Sequence, residues 1–157
     1  MDKVWAEAKR LVELWGPPRP GYRPRVVYRL GADLDGEPKG CDCSAFVARC
    51  CRQRKVQAGV WWNTDRIYDD ALKSHKRWKQ IAAPRAGCIG VYPGKTVEGK
   101  RVAGHVWVVD DPALGTTFEC SSSGKGVNTR KRSAWFKAGA TGNGRPIIWA
   151  EFVGGEP

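Results

Sequence analysis

The chain has 157 residues, of which 41% are apolar and 27% are charged, and its formal net charge is +11. This composition is typical of a globular protein and excludes wholesale disorder. The longest apolar runs are far too short to span a bilayer. The first ten residues lack the apolar core of a secretory leader, so we expect synthesis in the cytoplasm.

Three helices are predicted in the first half of the chain, because apolar residues recur there at helical spacing. The first helix begins at an Asp2 cap and ends near Trp15, before a Gly-Pro-Pro sequence. The other two cover residues 43–56 and 64–76. Residues 16–42 are rich in proline, glycine and arginine, which predicts an irregular segment.

Strands dominate the second half, where short apolar runs are separated by turn residues. The predicted strands cover residues 87–92, 105–109, 116–120 and 147–153, and a short strand at 25–30 precedes them. Helices followed by strands favour an α+β fold over alternating βαβ units. We therefore expect N-terminal helices packed on a central antiparallel β-sheet, in a single monomeric domain over residues 1–157.

The charge and the cysteines leave several partners open. A net charge of +11 favours a polyanion, whether nucleic acid, anionic lipid or an acidic cell-wall polymer. The densest basic cluster, Arg-Lys-Arg at 130–132, is interpreted as a solvated loop. Cys41 and Cys43 are one residue apart and Cys50 and Cys51 are adjacent, which is not zinc-ligand spacing. We expect no metal and no other cofactor, and the disulfide state stays open.

Cys43 is predicted to be a nucleophile. It opens the second predicted helix, where the helix dipole and the free N–H groups favour a thiolate. Cys41 precedes that helix, and Cys50 and Cys51 fall on its buried face as small core residues. Only Cys43 combines a helix N-terminus with access to a substrate.

The chain offers two histidines as the base that a cysteine nucleophile needs. His75 lies in an exposed basic run, whereas His105 opens an apolar strand that would fix its ring. An antiparallel hairpin would bring Glu119 back beside His105, where a carboxylate can orient the imidazole. Ser121 and Ser122 are weaker alternatives for that third role. The predicted catalytic residues are Cys43, His105 and Glu119.

Several segments resemble one family. Residues 42–47 (D-C-S-A-F-V) resemble the D-C-S-G-F-V nucleophile motif of NlpC-type peptidases, which are papain-like cysteine peptidases of bacterial cell walls and phages. The CHAP amidases share that fold. Residues 84–92 resemble the family's P-x-x-G-D segment, with cysteine in place of aspartate, and residues 103–109 (A-G-H-V-W-V-V) resemble its histidine strand. Residues 117–127 resemble the strand and turn that hold the third residue.

The resemblance implies roles for particular residues. The third residue is histidine in many members and glutamate in the CHAP relatives, and Glu119 stands nearest its position. Tyr28 matches a tyrosine that shapes the pocket, and the N–H of Cys43 is the expected oxyanion donor. Asp42 either meets a substrate amine or caps the helix. The aromatic residues near the third helix either line the groove or fill the core. The predicted pocket residues are Tyr28, Asp42, Ser44, Trp61, Trp62 and Tyr68.

The activity that the resemblance implies is cleavage of an amide in the peptide stems of peptidoglycan, through a Cys43 thiolate, a His105 base and an acyl-enzyme. A phage lytic enzyme with a holin and a small type six secretion effector with an immunity protein both suit a chain without a leader. One alternative is a Cys–His acyltransferase or protein amidase on the same fold. The other is a non-catalytic basic module that binds cell wall or nucleic acid, although we expect no nucleic acid as the partner.

Overall fold

The structure is a computed structural model that describes residues 2–33, 40–57 and 59–154. Within these residues the fold is α+β, with three α-helices and one large antiparallel sheet, as the order of the predicted elements indicates. No helix in the described ranges is both long and apolar enough to cross a membrane.

A polar side chain caps the start of each α-helix. The side chains of Asp2, Asp42 and Asn63 accept hydrogen bonds from N–H groups of the first turns. The helices are α1 (Lys3–Trp15), α2 (Cys43–Cys50) and α3 (Thr64–Asp69), followed by a π-helical turn (Asp70–Ser74) and a 3₁₀ helix (Ser133–Phe136).

The prediction for α2 is wrong at its C-terminal end, because the helix stops at Cys50 and not at residue 56. Arg52 adopts the left-handed conformation, with φ of 54°. The N–H of Gln53 then turns back to the carbonyl oxygen of Ala48 at 2.8 Å. The chain then leaves the helix, and Lys55 is buried beside Asp42, the residue that caps the start of α2.

The strands are β1 (Val27–Tyr28), β2 (Gly40–Cys41), β3 (Val56–Gln57), β4 (Val60–Trp61), β5 (Trp78–Ile81), β6 (Ile89–Tyr92), β7 (Lys95–Val97), β8 (Lys100–Val102), β9 (His105–Asp111), β10 (Thr116–Ser121), β11 (Gly126–Lys131), β12 (Thr141–Gly142), β13 (Arg145–Pro146) and β14 (Ile148–Phe152). Six of them form the main sheet in the order β11-β10-β9-β6-β14-β5, with antiparallel neighbours. The sequence pattern misses β5 and β11, because both are mostly polar and lack clear apolar alternation.

The main sheet is covered on both faces. Helices α1 and α2 pack on β9 and β10, and their core includes Leu11, Phe46, Val106 and Phe118. The opposite face carries an aromatic cluster built around Trp107, Trp135, Phe136 and Trp149. Because side chains alternate along a strand, Val106 faces the helices while His105 and Trp107 face the aromatic cluster.

Candidate active site

Cys43 is the first residue of α2, and Asp42 holds this end of the helix in place. One carboxylate oxygen of Asp42 accepts hydrogen bonds from the N–H of Ala45 at 2.9 Å and from the hydroxyl of Ser44 at 3.0 Å. The first N–H groups of a helix have no partner within the helix. The cap therefore occupies the N–H of Ala45 and leaves those of Cys43 and Ser44 at the helix tip.

The second carboxylate oxygen of Asp42 binds a buried lysine. It forms an ion pair with the amine of Lys55 and accepts a hydrogen bond from the N–H of Gly31 at 3.1 Å. The Lys55 side chain is only 2% exposed, and its amine also lies 5.0 Å from the Trp61 ring centre. Protein donors therefore occupy both oxygens of Asp42, as the helix-cap alternative requires.

His105 is the first residue of β9, and its surroundings fix the ring. A side chain on the preceding residue, Gly104, would meet the carbonyl oxygen of Tyr92 at 2.3 Å, so glycine allows the two backbones to approach. The imidazole stacks on Trp107, with ring centres 5.8 Å apart and planes 27° apart. Only 11% of the His105 side chain is exposed.

Glu119 lies beside His105, where the predicted hairpin would bring it. Its oxygen Oε1 is 3.4 Å from Nε2 of His105, which is long for a hydrogen bond and is better described as an ion-pair contact. The Thr117 hydroxyl donates to Oε2 at 2.6 Å. The guanidinium of Arg132 donates from Nε to Oε2 at 3.3 Å and from Nη2 to Oε1.

These contacts set the charges of the two buried groups. Burial alone would lower the pKa of His105, but its contacts with Cys43 and Glu119 outweigh burial and raise the pKa to about 9. Burial alone would raise the pKa of Glu119, but its contacts with His105, Arg132 and Thr117 lower it to about 2. At neutral pH the ring therefore carries a proton and the carboxylate is ionised. With Nε2 directed to Glu119, Nδ1 is the ring nitrogen left for the sulfur.

Two cavities meet at this site. The first, of about 320 Å³, has walls that include Tyr28, Asp42, Cys43 and Ser44. The second, of about 220 Å³, lies on the His105 side and has a polar wall that includes three consecutive serines and Arg132. Both share Tyr28 and the Ala-Gly pair that precedes His105. The arrangement is a cleft with the thiol on one side and the imidazole on the other.

The aromatic residues predicted to line the groove lie elsewhere. Trp62 is buried with its ring centre 5.3 Å from that of Trp78, and Tyr68 is buried with its hydroxyl bonded to the carbonyl oxygen of Pro146. Trp61 is exposed and covers Lys55. None of these three aromatic residues is in the described walls of the two cavities. Trp62 and Tyr68 belong instead to the hydrophobic core.

Arg132, like Lys55, contacts a buried carboxylate of the site and is not among the residues predicted from the sequence. The interpretation of residues 130–132 as a solvated loop is wrong, because Arg130 and Lys131 belong to β11 and only 19% of the Arg132 side chain is exposed. A strand beside β10 places side chains next to Glu119, and a buried carboxylate needs a cationic partner, but the sequence alone does not show which residue supplies it.

All six cysteines are buried free thiols. Burial raises the pKa of Cys50 and Cys51 well above the usual range and that of Cys88 to about 11. Contact with the Cys41 thiol, together with burial, also raises the pKa of Cys120. Cys43 is the cysteine in the wall of the larger cavity. In the part of the chain that the structure describes, no group of three His, Cys, Asp or Glu residues is placed to bind a metal ion.

A cysteine at the start of a helix, facing a histidine and a carboxylate on an antiparallel sheet, is the arrangement of papain-like cysteine peptidases. A family model described as the CHAP domain matches residues 32–124, which is more than half of the chain, and the chain belongs to this family. CHAP domains have the papain-like fold and are typically hydrolases that act on peptidoglycan, so the predicted fold and superfamily are confirmed. No curated protein and no solved structure matches the chain.

Proposed function

We propose that this protein is a peptidoglycan-degrading cysteine endopeptidase or amidase that cleaves an amide in the stem peptide. The proposal rests on one observation: Cys43 and His105 line one cleft, with the buried Glu119 in contact with the His105 ring, in a chain of the CHAP family. The net charge of +11 supports attraction to an anionic cell wall.

The first half of the reaction forms an acyl-enzyme. With the proton held on His105, the Cys43 sulfur attacks the amide carbonyl and a carbon–sulfur bond forms. The N–H of Cys43, at the tip of α2, stabilises the developing oxyanion. His105 then donates its proton to the departing nitrogen, the carbon–nitrogen bond breaks, and a thioester remains on Cys43.

The second half releases the product. Neutral His105 takes a proton from a water molecule, which attacks the thioester carbonyl. The carbon–sulfur bond breaks, a carboxylic acid leaves, and the thiolate and protonated ring are restored. Throughout, Glu119 keeps the ring oriented and stabilises its charged form, which is the role of a third catalytic residue.

The proposal extends to the biological setting. Residues 1–157 would act as one monomeric catalytic domain on the cell wall, after release or injection from the cell that makes it. A phage lytic enzyme that relies on a holin and an antibacterial effector that is neutralised by an immunity protein both fit this substrate.

The test is mass spectrometry of the soluble products from purified peptidoglycan, incubated with the natural protein, with Cys43→Ala and with Cys88→Ala. Cys88 is a buried cysteine on the far face of the sheet, so Cys88→Ala controls for the loss of a thiol. We expect new peptide ends with the natural protein and with Cys88→Ala, and at least about 1,000-fold less product with Cys43→Ala. Circular dichroism checks that each variant folds.

Equal product from Cys43→Ala would overturn the proposal. Intact peptidoglycan after incubation with the natural protein, across walls of different stem-peptide chemistry, would also count against it and would favour an acyl substrate outside the wall. The masses of the new ends would identify the bond that is cleaved.

A further inference from the structure

Arg132 is bound more firmly to the site than its place in a basic cluster suggests. Arg132 directly follows β11, and its backbone N–H donates to the carbonyl oxygen of Gly115 at 2.7 Å. Its guanidinium lies 4.5 Å from the Trp135 ring centre and donates to the Ser123 hydroxyl at 3.1 Å. These contacts hold the guanidinium against both oxygens of Glu119.

Glu119 is therefore shared between two cations. Its Oε1 faces both the guanidinium of Arg132 and Nε2 of His105, while Oε2 accepts from Arg132 and from the Thr117 hydroxyl. A carboxylate that is already paired with one cation attracts a second cation less strongly. The long contact of 3.4 Å to His105 agrees with this division.

We propose that Arg132 is a positioning residue that holds the Glu119 carboxylate between its guanidinium and the His105 ring, and so limits how strongly Glu119 stabilises the protonated ring. The inference rests on the proposed function only for its consequence, which is the pH range of catalysis. The division of charge itself is a property of the folded protein and is measurable without a substrate.

The tyrosines that face His105 do not alter the effect of the Glu119–Arg132 pair on the charge of the ring. The titratable and charged groups around the ring are Cys43 on α2, Tyr92 on β6, Tyr28 on β1, Glu119 on β10 and Arg132 after β11. Burial raises the pKa of Tyr28 to about 12 and also raises that of Tyr92, so both stay neutral where His105 titrates. The remaining partners of the ring are Cys43 and the Glu119–Arg132 pair.

Removal of Arg132 and removal of Glu119 should shift the titration midpoint of His105 in opposite directions. In Arg132→Met the Glu119 carboxylate stays ionised near pH 9, because its pKa in the natural protein is about 2. Its negative charge then acts on the His105 ring without being shared with a guanidinium. The titration midpoint of His105 should rise by about one pH unit. In Glu119→Gln the ring loses its anion, and the midpoint should fall by about one pH unit or more.

The experiment is a pH titration of the imidazole ring signals by NMR, with histidine labelled with ¹³C. The chain has only two histidines, so His75→Gln assigns the His105 signal directly. Lys131→Met is the matched control, because it removes the same charge from the neighbouring, exposed position of β11 and should leave the midpoint unchanged. Arg132→Lys retains the cation and should give a midpoint close to that of the natural protein.

A midpoint that is unchanged or lower in Arg132→Met would overturn the proposal. If Arg132→Met does not fold, Arg132→Gln provides the same test, because it retains hydrogen-bond donors and lacks the charge. A merely structural role predicts no opposite shifts in Arg132 and Glu119 variants. The peptidoglycan assay of the natural protein is a separate measurement, so failure of the proposed function would be recognised independently. For an active enzyme, the alkaline limit of turnover should move with the midpoint.

Discussion

Two buried carboxylates flank the cleft, and each is paired with a cation. Asp42, at the start of α2, is paired with Lys55, which is 2% exposed, and protein donors occupy both of its oxygens. Glu119, on β10, is paired with Arg132, which is 19% exposed, and one of its oxygens also faces His105. The first pair holds the backbone that carries the nucleophile, whereas the second acts on the charge of the base. A buried pair of a carboxylate and a cation thus positions the nucleophile on one side of the cleft and influences the protonation of the base on the other.

The largest effect on stability is expected at the Asp42 pair. In Lys55→Met the Asp42 carboxylate stays buried without its cation, which should lower the free energy of unfolding by about 3–5 kcal/mol. Urea denaturation measures this change. Lys73→Met is the matched control, because Lys73 and Asp69 form an exposed pair, and its loss should cost less than about 1 kcal/mol. A cost below about 1 kcal/mol for Lys55→Met would show that N–H and hydroxyl donors alone satisfy Asp42.

The next effect concerns Glu119 at acid pH. A carboxyl whose pKa falls from 4.5 to about 2 on folding stabilises the protein fully above pH 4.5, and this stability is lost as the pH falls towards 2. The contribution is up to about 3 kcal/mol. Thermal unfolding between pH 7 and 2 should therefore show a weaker acid dependence for Glu119→Gln. A remainder persists, because backbone N–H donors also lower the pKa of Asp70, in spite of its burial.

Glu13→Gln is the matched control for the acid series, since Glu13 is exposed on α1. Its acid dependence should equal that of the natural protein. If Glu119→Gln also kept the full acid dependence, the ionised Glu119 would contribute nothing to folding, and the contrast between the two carboxylates would disappear.

The smallest effect is expected at a third ion pair near the cleft, which is open to water. Arg101 and Asp65 are paired in the wall of the larger cavity, with side chains 53% and 41% exposed. Arg101→Gln should change the free energy of unfolding by less than about 1 kcal/mol, because water screens exposed charges. Urea denaturation beside Lys55→Met makes the comparison direct. A cost as large as that of Lys55→Met would mean that burial does not distinguish these pairs.

The sequence was sufficient for features that depend on local pattern and chain order. The start of α2 at Cys43 and the hairpin that brings Glu119 beside His105 follow from helix-start signals and strand order, whereas the Asp42 cap was one of two alternatives that the sequence left open. Lys55 and Arg132 could not be found in this way, because a buried cation looks like a surface residue until its tertiary partner is known. Local pattern also could not decide whether Trp62 fills the core or lines the cleft, since both environments favour an aromatic ring.

The roles of Cys43 as nucleophile and His105 as its base are tested most directly by brief labelling of the folded protein with limiting iodoacetamide at neutral pH, followed by peptide mapping. We expect that Cys43 is labelled first, because it lies in the cleft wall beside His105. Burial raises the pKa of Cys50, Cys51 and Cys88, and contact with Cys41, together with burial, raises that of Cys120. His105→Ala should slow the labelling of Cys43 by about tenfold or more. Labelling spread over the other cysteines, or a Cys43 labelling rate that does not depend on His105, would contradict the pairing of a Cys43 nucleophile with a His105 base.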